Sequence, residues 1–224
     1  SAVLIKPSEI TPRFVAPLVQ TLDSVPELKA VVGFVLGDGA VGAAVVDQVD
    51  LICFTGSVPT GRKVAEQAAR RFIPASLELG GKDPVIVTAS ADIDKATDAV
   101  LRGSILNSGQ VCLSIERVYV DRGIYESFVS RLAEKASAVK LNIDDVNDGH
   151  IGPLIFGRQG DVIAAHLKDA VARGATVVAG GEVIRRGGVW CQPTVLTNVT
   201  SDMAVMQEET FGPVLPVIAF DSID

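Results

Sequence analysis

Few residues in this sequence could bind a metal ion or build a disulfide framework. The 224 residues include two histidines and three widely spaced cysteines, which are Cys53, Cys112 and Cys191. Because no Cys or His cluster has the spacing of metal ligands, we expect no metal site. An odd number of separated cysteines is typical of a reducing compartment, so we expect free thiols in a cytoplasmic protein.

Long apolar runs and an excess of basic residues are also missing. No run approaches the roughly 18 apolar residues that a membrane-spanning helix needs. The formal net charge is −7, whereas a nucleic-acid partner requires a basic patch. We therefore expect neither a membrane nor a nucleic acid as partner. The apolar residues come in short bursts, such as 31–36 and 85–87, which are typical of strands buried on both faces of a parallel sheet.

Strands and helices alternate in the first 79 residues. A helix is expected over 11–22, with Thr11 as its cap and Pro12 at its first position. Ser57 is expected to cap another helix that runs to Arg70. A third helix is expected over 40–47, and strands over 2–5, 31–36, 51–54 and 75–79. This alternation predicts βαβ units with a parallel sheet.

The pattern restarts after the glycine pair at 80–81, where we place a boundary between domains 1–79 and 80–224. Helices are expected over 92–107 and 158–173, a loop over 142–153, and strands over 85–87, 115–120, 176–178, 194–199 and 214–220. Another helix presents an apolar stripe at helical spacing, which predicts a face packed into the core. The stripe comprises Tyr125, Phe128, Val129, Leu132, Ala136 and Val139.

Two short segments carry the chemistry. Glu78 opens the sequence Glu-Leu-Gly-Gly-Lys, and Cys112 closes the sequence Gly-Gln-Val-Cys. A carboxylate that acts as general base and a cysteine that acts as nucleophile are what covalent thioester chemistry needs. Each segment alone is weak, because a cysteine in an apolar run is usually a small buried hydrophobe.

Together the two segments resemble those of the aldehyde dehydrogenase superfamily. Three further motifs follow that family's order: Lys6-Pro7-Ser8-Glu9, Phe54-Thr55-Gly56-Ser57 followed by Gly61, and Glu208-Glu209-Thr210-Phe211-Gly212-Pro213. The resemblance implies an α/β fold, with part of a Rossmann-type dinucleotide-binding domain in 1–79 and most of a thiol-bearing α/β catalytic domain in 80–224. It also implies an active site in the cleft between them.

The resemblance implies the oxidation of an aldehyde to a carboxylic acid. Cys112 would attack the carbonyl, hydride would leave for a nicotinamide cofactor, and Glu78 would activate the water that hydrolyses the thioester. The backbone N–H of Cys112 would supply one oxyanion donor; the family's second donor is an Asn that lies upstream of residue 1. By contrast, Cys53 is interpreted as a core residue, and Cys191 has no base motif near it.

Cofactor residues are also implied. Ser57 with Gly56 opens a helix whose free N–H groups and positive end favour a phosphate, and Gly61 completes the family's spacing. Leu79 is assigned to the cofactor site with the motif that contains it. Residues 37–42 match G-x-G-x-x-G, a weak signal alone, and the resemblance places Gly39 at the adenine end.

The ends of the cofactor are assigned to two carboxylates. Lys6 and Glu9 resemble the pair that holds the adenosine ribose; a carboxylate there favours NAD, with NADP still possible. Glu209 would grip the nicotinamide ribose, with Phe211 beside the ring.

Alternatives remain open from the sequence. A coenzyme A-acylating enzyme is disfavoured by Glu78, and a non-catalytic binding protein on the same scaffold is disfavoured by the intact Cys112. Residues 114–117 resemble some semialdehyde-oxidising members without identifying a substrate. Against the family, N- and C-terminal portions are absent. The resemblance implies a homodimeric or homotetrameric full-length protein. Because the two portions are absent, we expect an inactive, aggregating chain when residues 1–224 are made alone.

Overall fold

The computed structural model describes residues 1–223. The chain divides into two compact units, Ser1–Leu79 and Gly80–Asp224, so the division falls at the glycine pair. The cofactor-binding and catalytic roles assigned to the two units stay predictions.

The first unit contains two small parallel sheets with helices between the strands. Strand β1 pairs with β2, and β3 pairs with β4, both in parallel. Its elements are β1 (Val3–Ile5), a 3-10 turn (Pro12–Phe14), α1 (Val15–Asp23), α2 (Pro26–Lys29), β2 (Val32–Phe34), α3 (Gly39–Val46), β3 (Ile52–Thr55), α4 (Val58–Arg70) and β4 (Ala75–Glu78).

Two predicted element boundaries in this unit were wrong. Thr11 does not cap a helix, because its side chain makes no capping hydrogen bond and a 3-10 turn separates it from α1. The strand expected over 31–36 is limited to Val32–Phe34, which pair in register with Val3–Ile5 of β1.

The burial expected of apolar residues was also wrong in places. Cys53 is exposed rather than in the core, because β3 buries only alternate residues and Cys53 faces outward. In the two bursts expected to be buried, Leu36 and Ile86 are each 61% exposed. Burial alternates along β5, with Val85 and Val87 on the covered side and Ile86 on the other, so the 85–87 burst has only one buried face.

The second unit is built on a five-stranded sheet of order β5-β6-β11-β10-β7. All neighbours are parallel except β7, which runs antiparallel to β10, while β8 and β9 form a separate antiparallel pair. Its elements are β5 (Asp83–Val87), α5 (Ile93–Ile105), a 3-10 turn (Leu106–Gly109), β6 (Ile115–Asp121), α6 (Tyr125–Ser137), α7 (Gly157–Ala172), β7 (Thr176–Ala179), β8 (Val183–Arg185), β9 (Val189–Cys191), β10 (Thr194–Thr197), α8 (Ala204–Gln207) and β11 (Val214–Phe220).

Two apolar clusters hold this sheet. One includes Phe128 and Leu132 of α6 against Val118 of β6, which confirms the predicted buried stripe. The other includes Ile163 of α7 and Leu196 of β10. Because the sheet is packed through both clusters, the segments that enter its strands are anchored at one end.

No helix within residues 1–223 is both long and apolar enough to cross a bilayer.

Candidate active site

Three sequence motifs of the second unit meet at one edge of the sheet, namely the end at which its parallel strands begin. Residues 80–82 lead into β5, residues 109–114 into β6, and residues 208–213 into β11. These strands are adjacent and parallel, so their amino ends lie side by side. The topology thus brings together segments that are more than 120 residues apart, as Gly81 and Glu209 are.

Cys112 follows a backbone turn of left-handed residues. Asn107 has φ 50°, Ser108 φ 59° and Gly109 φ 75°. Left-handed non-glycine residues are strained and persist where the surroundings hold them. Gly109 cannot carry a side chain, because a Cβ there would overlap the backbone of Gly212. The turn therefore packs directly against the 208–213 segment.

Hydrogen bonds brace this turn from a distant loop. Gln110 Nε2 donates to the Asn107 carbonyl at 2.9 Å, and Gln110 Oε1 accepts from the Ile155 N–H at 2.7 Å. Ser108 Oγ donates to the Gly152 carbonyl at 2.8 Å. The turn is fixed by these contacts.

The three thiols differ in accessibility. Cys112 and Cys53 are exposed, whereas Cys191 is buried. Burial raises the pKa of the Cys191 thiol to about 12, so this residue is a poor nucleophile at neutral pH. Of the exposed pair, Cys112 is the one delivered by a strained and braced turn.

The glycine pair at 80–81 fits against the other two segments. The Gly81 N–H donates to Glu209 Oε1 at 3.1 Å. A Cβ at Gly80 would overlap the Glu209 carboxylate, and one at Gly81 would lie 2.7 Å from the Cys112 carbonyl oxygen. Both positions therefore require glycine, because the space that a side chain would take is already filled by neighbouring residues.

A buried ion pair lies beneath this edge. Lys82 Nζ donates to Glu116 Oε2 at 2.6 Å and to Thr210 Oγ1 at 2.9 Å, and the two charged side chains are 10% and 2% exposed. The Thr210 and Phe211 N–H groups donate to Glu116 Oε2 and Oε1 at 2.7 and 2.8 Å. Glu116 therefore joins all three segments.

Burial sets the pKa shifts around this pair. It lowers the pKa of Lys82, against the opposing charge of Glu116. It raises the pKa of Glu209, which the Gly81 N–H partly offsets. His166 of α7 lies 3.2 Å from Thr210 Oγ1 through Nδ1, and burial followed by the nearby Lys82 charge lowers its pKa.

Glu78 lies at the end of β4 in the first unit. Its carbonyl accepts from the Gly56 N–H at 3.0 Å, whereas its side chain is exposed. Among the described residues its carboxylate has no hydrogen bond or ion pair.

The strand–turn–helix expected around Ser57 is present. Ser57 caps α4, its Oγ accepting from the Thr60 N–H at 3.4 Å and its carbonyl accepting from the Gly61 N–H at 2.8 Å. Gly61 is buried, and a Cβ there would overlap Leu79. Gly61 and Leu79 thus set the packing of α4 on β4, and their assignment to the cofactor stays a prediction.

The residues predicted for the adenine end lie together. Lys6 Nζ contacts Glu9 Oε2 at 3.2 Å, and the pKa of Glu9 is lowered by a backbone hydrogen bond and by Lys6. Asp38 caps α3 by accepting from the Ala40 N–H at 2.9 Å. A Cβ at Gly42 would lie 3.5 Å from the Lys6 side chain, while open space surrounds Gly39.

Sequence reasoning missed the roles of Lys82, Glu116 and Gln110. A signal for Glu116 was present in the sequence. Glu116 is a charged residue on the same buried face of β6 as Val118 and Val120. Within residues 1–223 no group of three or more His, Cys, Asp or Glu is arranged to hold a metal ion.

The fold and the motifs at the amino ends of its strands define an α/β protein with an exposed cysteine that follows a strained turn. The aldehyde dehydrogenase family model matches residues 1–224, and the chain belongs to that family. It is 40% identical over 228 residues to lactaldehyde dehydrogenase of Escherichia coli, covering 100% of this chain and 48% of the relative.

Solved structures give the same result. PutA from Anabaena variabilis matches with a TM-score of 0.97 and 55% identity, covering 99% of this chain and 47% of that one. Betaine aldehyde dehydrogenase from Staphylococcus aureus, solved with NAD+, matches with a TM-score of 0.93 and 34% identity, covering 99% and 45%. The chain thus spans less than half the length of these relatives.

Proposed function

We propose that the protein carrying this chain oxidises an aldehyde to a carboxylic acid with a nicotinamide cofactor. The observation that carries the proposal is the exposed Cys112 at the end of a strained, braced turn, with its carbonyl against Gly81. Family membership supports it, as do relatives named for lactaldehyde and betaine aldehyde.

The chemistry divides into two steps. The Cys112 thiolate adds to the aldehyde carbon, and its backbone N–H donates to the new oxyanion. A bound cofactor would accept the hydride that leaves the former aldehyde carbon, and a thioester would remain on Cys112. Glu78 then removes a proton from water, the resulting hydroxide adds to the thioester, and the acid leaves as Cys112 regains its thiolate.

The residues present fit a dinucleotide. The N-terminal end of α4 at Ser57 would present the positive end of the helix dipole to a phosphate, and no atom lies within 4 Å of the place where a Gly39 side chain would stand. Glu9, held by Lys6, would bind ribose hydroxyls and repel a 2′-phosphate, which favours NAD over NADP. At the other end Glu209 would bind the nicotinamide ribose, with Phe211 beside the ring.

Hydrolysis is favoured over acyl transfer to coenzyme A by one observation. The Glu78 carboxylate is exposed and makes no hydrogen bond within the described residues, so it can serve as the base for water. We further propose a cytoplasmic homo-oligomer, as a dimer or tetramer, whose state sedimentation would establish.

The test is cofactor reduction by the full natural protein. Lactaldehyde, betaine aldehyde and a dicarboxylic semialdehyde would each be offered with NAD or NADP, with and without coenzyme A. We expect NAD reduction and free acid without coenzyme A. Acyl-coenzyme A as the product would favour the alternative enzyme, and no turnover of any aldehyde would contradict the proposal.

A further inference from the structure

Glu116 lies at a position that is costly for a carboxylate. It is 2% exposed, in a strand whose other residues on that face, Val118 and Val120, are fully buried. A buried charge is tolerated when it is paired and its hydrogen bonds are complete. Here both oxygens are used, one by Lys82 and the Thr210 N–H and the other by the Phe211 N–H.

The two backbone groups that Glu116 holds belong to a strained turn. Phe211 has φ 48°, a left-handed conformation that a bulky residue rarely adopts. Such a conformation persists where the surroundings over-determine it. Hydrogen bonds from N–H groups to a carboxylate are among the stronger ones in proteins, so Glu116 is placed to hold Phe211 in this state.

Glu209 immediately precedes these two residues. Its carboxylate accepts from the Gly81 N–H at 3.1 Å and occupies the space where a Gly80 side chain would lie. A shift of the Thr210–Phe211 backbone would carry Glu209 away from both glycines. The position of the Glu209 carboxylate therefore depends on the anchor beneath it.

We propose that Glu116 is a positioning residue that fixes the Glu209 carboxylate for cofactor binding by holding the backbone of Thr210 and Phe211. The inference rests on the proposed function, in which Glu209 binds the nicotinamide ribose. A simpler role, in which the ion pair only stabilises the core, predicts that either partner would matter equally.

The geometry separates these two roles. Glu116→Gln offers a single acceptor oxygen, so it can replace one of the two backbone bonds and turns an NH2 group toward another donor. Lys82→Met removes the other charge and its hydrogen bond to Thr210 Oγ1, but it leaves both backbone bonds to the Glu116 carboxylate. Glu126→Gln is the matched control, because Glu126 is exposed in the first turn of α6.

The experiment uses the full natural protein and two readouts. Hydrogen exchange would follow the amides of residues 208–212, with the core amides of β6 as reference, and calorimetry would give the Kd for NAD+. For Glu116→Gln we expect at least about tenfold faster exchange in the turn and about tenfold weaker NAD+ binding, the effect of one lost charged hydrogen bond. Lys82→Met should change both by less, and Glu126→Gln by nothing measurable.

The double variant Lys82→Met/Glu116→Gln guards against a fold lost to an unpaired buried Lys82. It removes both charges, so it should fold while still showing the loose turn and weak NAD+ binding. Equal effects of Lys82→Met and Glu116→Gln, or a turn as protected in Glu116→Gln as in wild type, would overturn the inference. If wild type itself binds neither NAD+ nor NADP+, the proposed function is wrong, and turn exchange still decides whether Glu116 holds the turn.

Discussion

The carbonyl oxygen of Cys112 lies against Gly81, 2.7 Å from the point where a Cβ would stand. Two residues from separate motifs therefore fix each other by backbone contact, and the loop carrying the thiol cannot move toward β5. Because the Cys112 atom in this contact belongs to the backbone, no side-chain rotation can relieve the overlap that a larger residue at position 81 would create.

Gly81→Ala tests this contact. We expect the added methyl to push the Cys112 loop away, to reduce the free energy of unfolding by about 1–3 kcal/mol and to lower the rate of thiol alkylation or aldehyde oxidation. Chemical denaturation and alkylation rates would measure both effects. Gly157→Ala is the control, since a Cβ there meets only Val189 at an ordinary 3.7 Å; equal behaviour of the two variants would contradict the contact's importance.

Gln110→Ala tests the brace of the strained turn. The change removes the acceptor of the Ile155 N–H in a part-buried hydrogen bond, which costs about 0.5–1.5 kcal/mol. We expect lower stability and faster amide exchange at Ile155 and across 107–110. Gln20→Ala, at an exposed position of α1, should change neither quantity, and an equally harmless Gln110→Ala would show that the turn holds itself.

The sequence predicted elements with strong local patterns and missed features that depend on contacts across the chain. The α6 stripe repeats at helical spacing, so its buried face could be predicted. Hairpin strands β8 and β9 are three residues each, too short to show a period. The anchor at Glu116 joins residues 94 apart, and no local pattern encodes such a partner. Cys53 was misjudged because an apolar strand does not show whether its second face is covered.

Cys112→Ser tests the nucleophile. An alkoxide is hard to form at neutral pH, so turnover by the full natural protein should fall by more than about a thousandfold. Cys53→Ser replaces the other exposed thiol and should leave turnover unchanged. Progress curves of NAD reduction would measure both variants. Substantial turnover by Cys112→Ser would exclude this thiol as the nucleophile.

The Cys191 thiol predicts a pH dependence of stability. Its pKa in the folded state, about 12, exceeds the value of about 8.5 for a free thiol. Folding therefore favours the protonated form, and the stabilisation is complete below about pH 8.5 and lost as pH rises toward the folded pKa. Denaturation midpoints of wild type should fall more steeply in alkali than those of Cys191→Ala, and parallel curves would contradict the shift.

The most direct test of the account is the intermediate itself. Glu78→Gln should remove the base but leave the nucleophile, so acyl-enzyme should accumulate when the full natural protein is mixed with aldehyde and NAD. Intact-mass and peptide mass spectrometry would locate the adduct, with Glu66→Gln as an exposed control on α4. The account predicts one acyl group on Cys112 and a loss of turnover in Glu78→Gln alone. Lost turnover with no acyl group on Cys112 would contradict it.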